Sequence, residues 1–174
     1  MSDNHSTAIT RRRFLRGAVA AGGALAVPQI IPASALGRGG VVAPSERIVM
    51  GAIGVGGRGS GDVDWMMGEP DVQFVAVCDV MKSRREAVKQ AVDNRYGNKD
   101  CAVYGDIRQF LAERKDVDAV LIATGDRWHS LASILAMRAG KDVYCEKPAC
   151  LTMAQGQAVV ATARRYSRVY QTGA

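Results

Sequence analysis

Residues 47–59 read RIVMGAIGVGGRG. The run 47–53 has the length and apolar content of a buried strand. It stops in Gly54-Val55-Gly56-Gly57-Arg58-Gly59, a G-x-G-x-x-G spacing. In a chain with 19 glycines the spacing alone says little. Its surroundings say more. A strand precedes it, and residues 60–67 follow as a short helix with Val63, Met66 and Met67 on one side. Asp79 stands 20 residues beyond Gly59, at the end of the next apolar run. In such a strand–turn–helix unit each residue has a physical task. Gly54 permits the tight turn, and Gly56 lets the main chain approach a pyrophosphate. Gly59 lets the helix pack close, with its first amides facing the phosphates. Asp79 would accept hydrogen bonds from an adenosine ribose, which favours NAD. Arg84 and Arg85 lie just beyond and could instead accommodate a 2′-phosphate, so NADP stays open. The competing reading is a glycine-rich turn that binds nothing.

Working outward, strand and helix signals alternate with short connections. Residues 73–79 (QFVAVCD) read as strand 2, and 83–96 as a helix with Ala87, Val88, Ala91 and Val92 on one stripe. A short strand is predicted at 102–104, then a helix through 114 capped by Asp106. AVLIA at 119–123 suits a strand buried on both faces. A helix over 129–139 stops at Gly140, strand 5 covers 142–145, a last helix covers 152–166, and a sixth strand begins at 169–171. Five or six strands separated by helices predict an α/β fold, a doubly wound and mostly parallel sheet. An unfinished sixth strand would leave an exposed edge and a sticky or poorly stable chain.

The composition, 48% apolar, 23% charged and 6% aromatic over 174 residues, excludes a disordered chain. The net charge of +6 suggests nucleic acid until its distribution is read. Arg11, Arg12, Arg13 and Arg16 sit in the first 16 residues with one acid, Asp3. Beyond residue 35 there are 19 basic and 16 acidic side chains, which removes most of the support for a nucleic-acid partner. TRRRFLR at 10–16 resembles the twin-arginine export motif. The Ala- and Gly-rich run 17–27 is too short and too weakly apolar for a stable membrane span. Ala33-Ser34-Ala35 offers small residues to a signal peptidase. The expected organisation is a leader at 1–35, a linker at 36–46 and one domain at 47–174. The resemblance implies the twin-arginine export machinery as a partner and a periplasmic or otherwise extracytoplasmic destination, reached already folded. A basic amphipathic helix or an uncleaved anchor is the competing reading, opposed by Gly22-Gly23 and Pro28.

Two loops remain at the predicted carboxyl edge of the sheet, where open α/β folds bind ligands. Strand 4 runs into Thr124-Gly125-Asp126-Arg127-Trp128-His129. Thr124 and Asp126 are ligand candidates and also plausible helix N-caps; Trp128 and His129 are equally readable as packing and helix start. Strand 5 runs into Tyr144-Cys145-Glu146-Lys147-Pro148. A Lys before Pro is held extended, which would aim Lys147 out of the sheet edge to hydrogen-bond a substrate hydroxyl and ease proton movement. The alternative is a solvated turn lysine paired with Glu146. Cys78, Cys101, Cys145 and Cys150 form no C-x-x-C and have no His at ligand spacing, so buried thiols and no metal are expected.

The motifs GVGGRG at 54–59, CDV at 78–80, TGDRWH at 124–129 and YCEKP at 144–148 together resemble the Gfo/Idh/MocA oxidoreductase family, from about residue 47 onward. The resemblance implies a Rossmann domain holding NAD, or NADP, through residues 54–59, Asp79 and Glu146. It gives Lys147 a catalytic place beside nicotinamide and substrate. Thr124, Asp126, Trp128 and His129 inherit cofactor or substrate contacts. Gly125 and Arg127 depart from the Pro and His common in the family, and the Arg points toward an altered substrate, such as an acidic sugar, or blunted activity. Family members are longer, and their second domain supplies the remaining acid/base Asp and His and helps form homo-oligomers. This sequence is expected to hold the cofactor half without the substrate half. The implied activity is hydride transfer between a sugar or polyol ring carbon and nicotinamide. Two alternatives remain: a glycosidase using NAD for a transient oxidation, and a non-catalytic nucleotide-binding remnant.

Overall fold

The structure, a computed structural model, describes residues 42–173. The expected leader at 1–35 and the first part of the linker, 36–41, lie outside the described residues. The end of the linker is not extended throughout. Pro44–Glu46 form one 3-10 turn, with Glu46 N–H donating to Ala43 O at 2.9 Å, because proline already holds the helical φ at the first position.

Eleven further elements alternate: β1 (Ile48–Ile53), α1 (Gly57–Met66), β2 (Val72–Cys78), α2 (Lys82–Tyr96), β3 (Ala102–Tyr104), α3 (Ile107–Glu113), β4 (Ala119–Ile122), α4 (Asp126–Arg138), β5 (Asp142–Cys145), α5 (Met153–Tyr166) and β6 (Tyr170–Thr172). The six strands form one sheet in the order β3-β2-β1-β4-β5-β6, and every neighbouring pair is parallel. The doubly wound α/β sheet expected from the sequence is therefore present. The chain winds outward from β1 in one direction and, after β3, crosses to β4 and winds in the other. The crevice between the ends of β1 and β4 is the topological switch point.

Alternation along the strands feeds two separate cores. Met50, Ala52, Phe74, Val77 and Leu121 pack with Val63 and Met66 of α1 and Val88 and Val92 of α2. Ile53, Ala76, Cys78, Val120 and Ile122 pack with Phe110 of α3, Ala132, Ala136 and Met137 of α4, and Val159 of α5. One face of the sheet is thus covered by α1 and α2 and the other by α3, α4 and α5, as right-handed crossovers require. Gly51 lies under Phe110: a Cβ there would run into the ring, whose side chain is fully buried. Asp106 caps α3 by accepting from Arg108 N–H at 2.7 Å, as its position predicts. Thr152 caps α5 from Gln155 N–H at 3.2 Å, while Gln155 Oε1 accepts from Leu151 N–H at 2.9 Å, a reciprocal pair close to a capping box.

Two helix starts differ from the sequence reading by three residues. α1 begins at Gly57 rather than 60, and α4 begins at Asp126 rather than 129. Each has glycine at the N-cap, Gly56 and Gly125, with no side-chain cap. Neither Thr124 nor Asp126 caps α4: Thr124 Oγ1 donates to Gly125 O at 3.2 Å, and Asp126 Oδ1 accepts from Arg127 N–H at 2.7 Å.

Cys78, Cys101 and Cys145 are buried free thiols, and Cys150 is half-buried and also free. Burial, then the Asp79 and Asp106 charges, pushes the Cys78 thiol from 9.0 up to about 12. Burial, then Asp93, pushes Cys101 up to about 11. Below the ordinary thiol range neither thiol ionises in either state, and stability is unaffected. As pH rises through 9.0 the unfolded thiols ionise while the folded ones stay protonated, so stability falls until about 12. At about pH 10 each thiol removes about 1 kcal/mol relative to neutral pH. Lys141, held below the usual lysine range by burial and by Lys115, acts in the opposite sense. Urea unfolding of Cys78→Ala across this range isolates the thiol: the variant is expected to show the shallower alkaline decline.

Candidate functional site

The switch-point crevice opens into a cleft of about 550 Å³ lined by Arg58, Ala123, Thr124, His129, Glu146 and Lys147. Three segments far apart in sequence meet here: the loop after β1, the loop after β4 and the turn after β5.

The glycine loop is shaped by close approach. Gly54 has φ +80°, and a Cβ there would stand 2.6 Å from Thr124 N and 2.7 Å from Thr124 Cα. Its own N–H donates to Cys78 O at 2.8 Å, which ties the loop to β2. A Cβ on Gly59 would run into Gly54 O. Gly57 differs: no heavy atom lies within 4 Å of where its Cβ would stand. The first turn of α1 therefore presents bare main chain, and its leading amides lack intrahelical acceptors. That is an anion cradle of the kind a pyrophosphate fills.

Asp79 is buried just past β2. Its Oδ2 accepts from Val55 N–H at 2.9 Å and its Oδ1 from Met81 N–H at 2.8 Å. Two main-chain donors fix the carboxylate and leave each oxygen further acceptor capacity. The two arginines that left NADP open are placed differently from each other. Arg85 Nη1 donates to Asp79 O at 3.0 Å and Val80 O at 3.3 Å. Arg84 Nη1 stands over the glycine loop, 3.1 Å from the Cβ position of Gly56.

The loop after β4 distributes its residues unevenly. Thr124 lines the cleft. His129 also borders it but is 2% exposed, with Nδ1 2.8 Å from Pro148 O and Nε2 3.0 Å from Thr124 O. Both ring nitrogens face main-chain carbonyls, so the imidazole joins the β4 loop to the β5 turn and has no nitrogen left for a ligand. Asp126 and Trp128 are exposed on the start of α4 and do not line the cleft. Helical register accounts for Trp128: with α4 starting at Asp126, residue 129 faces the sheet and 128 stands about 100° round the helix from it.

Lys147 is exposed at the cleft, joined to Pro148 by a cis peptide. Glu146, its partner in the alternative reading of a solvated turn lysine, is engaged elsewhere. Glu146 is 3% exposed and accepts from Arg58 Nη2 at 3.1 Å, while Arg58 Nε reaches Asp62 Oδ1 at 3.0 Å. Burial pushes the Asp62 carboxyl up; Arg58 opposes this and Glu146 adds to it. Asp62 carried no sequence expectation, although its i, i+4 spacing from Arg58 is the signal of a helical ion pair. Among the described residues, no group of three or more His, Cys, Asp or Glu is placed to hold a metal ion, and no helix is long and apolar enough to cross a membrane.

A parallel sheet in this strand order, with a glycine cradle at the switch point and a carboxylate at the end of β2, defines a dinucleotide-binding Rossmann domain. The family model for Gfo/Idh/MocA proteins, an oxidoreductase family with an NAD-binding Rossmann fold, matches residues 48–174, and the chain belongs to that family. A glycosyl hydrolase family 109 protein of Saccharopolyspora erythraea is 32% identical over 180 residues, covering 95% of this chain and 39% of the relative. Among solved structures, an NAD-binding protein from Listeria innocua is 31% identical with a TM-score of 0.63, covering 73% of this chain and 34% of that one. Scyllo-inositol dehydrogenase from Lactobacillus casei, solved with NAD(H) and scyllo-inositol, shares the fold at 21% identity and a TM-score of 0.64, covering 73% and 36%. The chain spans less than half the length of the curated relatives it matches.

Proposed function

We propose that the chain is the cofactor-binding part of an exported, NAD-dependent enzyme that oxidises a hydroxyl-bearing carbon of a sugar or polyol. The observation that carries this reading is the cleft in which Arg58 of the glycine loop, Thr124 and Lys147 meet. When bound, the nicotinamide supplies a hydride acceptor. The bare main chain at Gly57 would hold the phosphates, and Asp79 would hold a ribose. Lys147, exposed at the cleft, would hydrogen-bond a substrate hydroxyl and take part in moving its proton. His129 fixes the two loops on either side. Residues 54–59, Asp79, Thr124, Glu146 and Lys147 make up this site. Asp126 and Trp128 belong to its outer rim, where a substrate or a further domain meets them.

NAD is favoured over NADP by Asp79, whose carboxylate is held in place by two main-chain amides and would repel a 2′-phosphate. Arg85 favours it too, being engaged with the carbonyls of 79 and 80. Arg84, over the glycine loop, is the cation a 2′-phosphate would use. A second reading is supported by the glycosyl hydrolase family 109 name of the curated relatives. In that reading the same oxidation is transient: elimination, addition and re-reduction cleave a glycoside with no net redox change. Product analysis separates the two. The chain is incubated with NAD, free polyols and nitrophenyl glycosides. Accumulating NADH supports a dehydrogenase, and nitrophenol release without NAD consumption supports a glycosidase. Neither product from a folded, NAD-binding sample contradicts both as activities of this chain.

Export rests on TRRRFLR at 10–16 and the small residues at 33–35. In a bacterium with a twin-arginine system, the chain is expected in the periplasm, shortened after Ala35. The paired change Arg11→Lys and Arg12→Lys is expected to keep it in the cytoplasm at full length. Unchanged fractionation of the variant would contradict this route.

A further inference from the structure

We infer that Arg58 is a positioning residue: its guanidinium clips α1 to Glu146 and thereby fixes the turn that presents Lys147. The role rests on the reading of the cleft as an NAD site, and it differs from the direct phosphate contact that an arginine within a glycine loop suggests.

Three observations meet here. The Arg58 side chain is 66% exposed, yet both acids it touches are sunk into the protein, with side-chain exposures of 9% for Asp62 and 4% for Glu146. Among the described residues Arg58 is the only hydrogen-bond partner of the Glu146 carboxylate. Gly173 approaches the same carboxylate: a Cβ there would stand 2.6 Å from Glu146 Oε1, the oxygen that Arg58 also binds. The main-chain N–H of Glu146 is bound to Ile122 O at 2.8 Å. Lys147 is the next residue along the chain.

The charges decide the role. A guanidinium whose Nε and Nη2 both point at carboxylates has its charge compensated locally, which makes it a poor phosphate ligand. Removing it leaves two buried carboxylates without a counter-charge, one of them with an oxygen, Asp62 Oδ2, that already lacks a partner. A buried carboxylate in that state must turn toward water or take up a proton. For Glu146 the first course drags the 146–147 turn, and with it the lysine, out of place.

Two readouts on the full chain test this. The first is NAD affinity by calorimetry for wild type, Arg58→Met, Glu146→Gln, their double variant, Arg58→Lys and Gly173→Ala. Each of Arg58→Met and Glu146→Gln is expected to weaken NAD by about tenfold, and the double variant no more than the worse single change. Arg58→Lys restores part of the loss. Gly173→Ala, which displaces the carboxylate and leaves every charge in place, weakens binding in the same direction. The second readout needs no cofactor: the rate at which an amine-acylating reagent labels Lys147, measured by mass spectrometry with exposed Lys82 as internal reference. The same variants are expected to change the Lys147 rate severalfold and leave Lys82 alone, which a loss of stability in the folded sample does not produce. A loss of NAD affinity in Arg58→Met with Glu146→Gln and Gly173→Ala neutral would make Arg58 a direct phosphate ligand and overturn the proposal. Unchanged Lys147 labelling overturns it as well. A folded wild type that binds no NAD refutes the cofactor reading, and the labelling then decides the clip independently.

Discussion

Gly59→Val is expected to abolish dinucleotide binding and to destabilise the fold by about 3–5 kcal/mol. The reason is the crossing of main chains at the start of α1. A Cβ at 59 would run into Gly54 O, with Ala123 Cβ 3.1 Å away. Gly54 has nowhere to retreat, since its own Cβ position is 2.6 Å from Thr124 N. Main-chain atoms on both sides cannot give way as a flexible side chain does, so the helix must lift off the sheet. Gly57→Ala is the matched contrast. With no atom within 4 Å of the new Cβ, the fold accepts it, and in a helix alanine is favoured over glycine by about 1 kcal/mol. The methyl nevertheless covers main chain that a pyrophosphate needs, so NAD binding falls while stability holds or rises. Urea unfolding beside NAD titration reads both quantities. A Gly59→Val protein of native stability would contradict the packing account, and a Gly57→Ala protein with undiminished NAD affinity would contradict the phosphate cradle.

The second large effect is expected at Asp79. In Asp79→Ala the N–H of Val55, which is buried, and that of Met81 lose the carboxylate oxygens at 2.9 and 2.8 Å. An unpaired buried donor costs about 1–3 kcal/mol, so the loop between β1 and α1 loosens. NAD affinity is expected to fall by about 10- to 100-fold, the size of a lost hydrogen bond to a charged group. The loss for NADP should be smaller, because the negative charge that repels a 2′-phosphate has gone as well. The ratio of the two affinities therefore moves toward unity. An unchanged ratio would show that Asp79 serves the loop and takes no part in choosing the cofactor.

The architecture was legible where short-range physics decides it. The apolar runs at 47–53 and 119–123, the β-branched run at 73–79 and the glycine stop at 140 each carry their own signal, and the alternation of strand and helix leaves few topologies. The glycine loop was legible for the same reason, since a turn that tight admits few residues. Helix starts were read late where glycine supplies the N-cap: Gly56 and Gly125 have no side chain to announce a cap, and the Thr and Asp beside Gly125 misdirected the reading. The clip between Arg58 and Glu146 spans 88 residues and depends on how closely β1 and β5 flank β4, which spacing in the chain does not encode. His129 was read among cofactor or substrate contacts from its loop. Its burial, with both nitrogens on main-chain carbonyls, follows from a helix start three residues earlier.

The most direct test of the account is calorimetric titration of NAD and NADP into the folded chain, with Asp79→Ala alongside. The account predicts saturable NAD binding, weaker NADP binding, and a loss of NAD affinity in the variant. A wild-type sample that unfolds cooperatively, yet takes up neither dinucleotide, would contradict it.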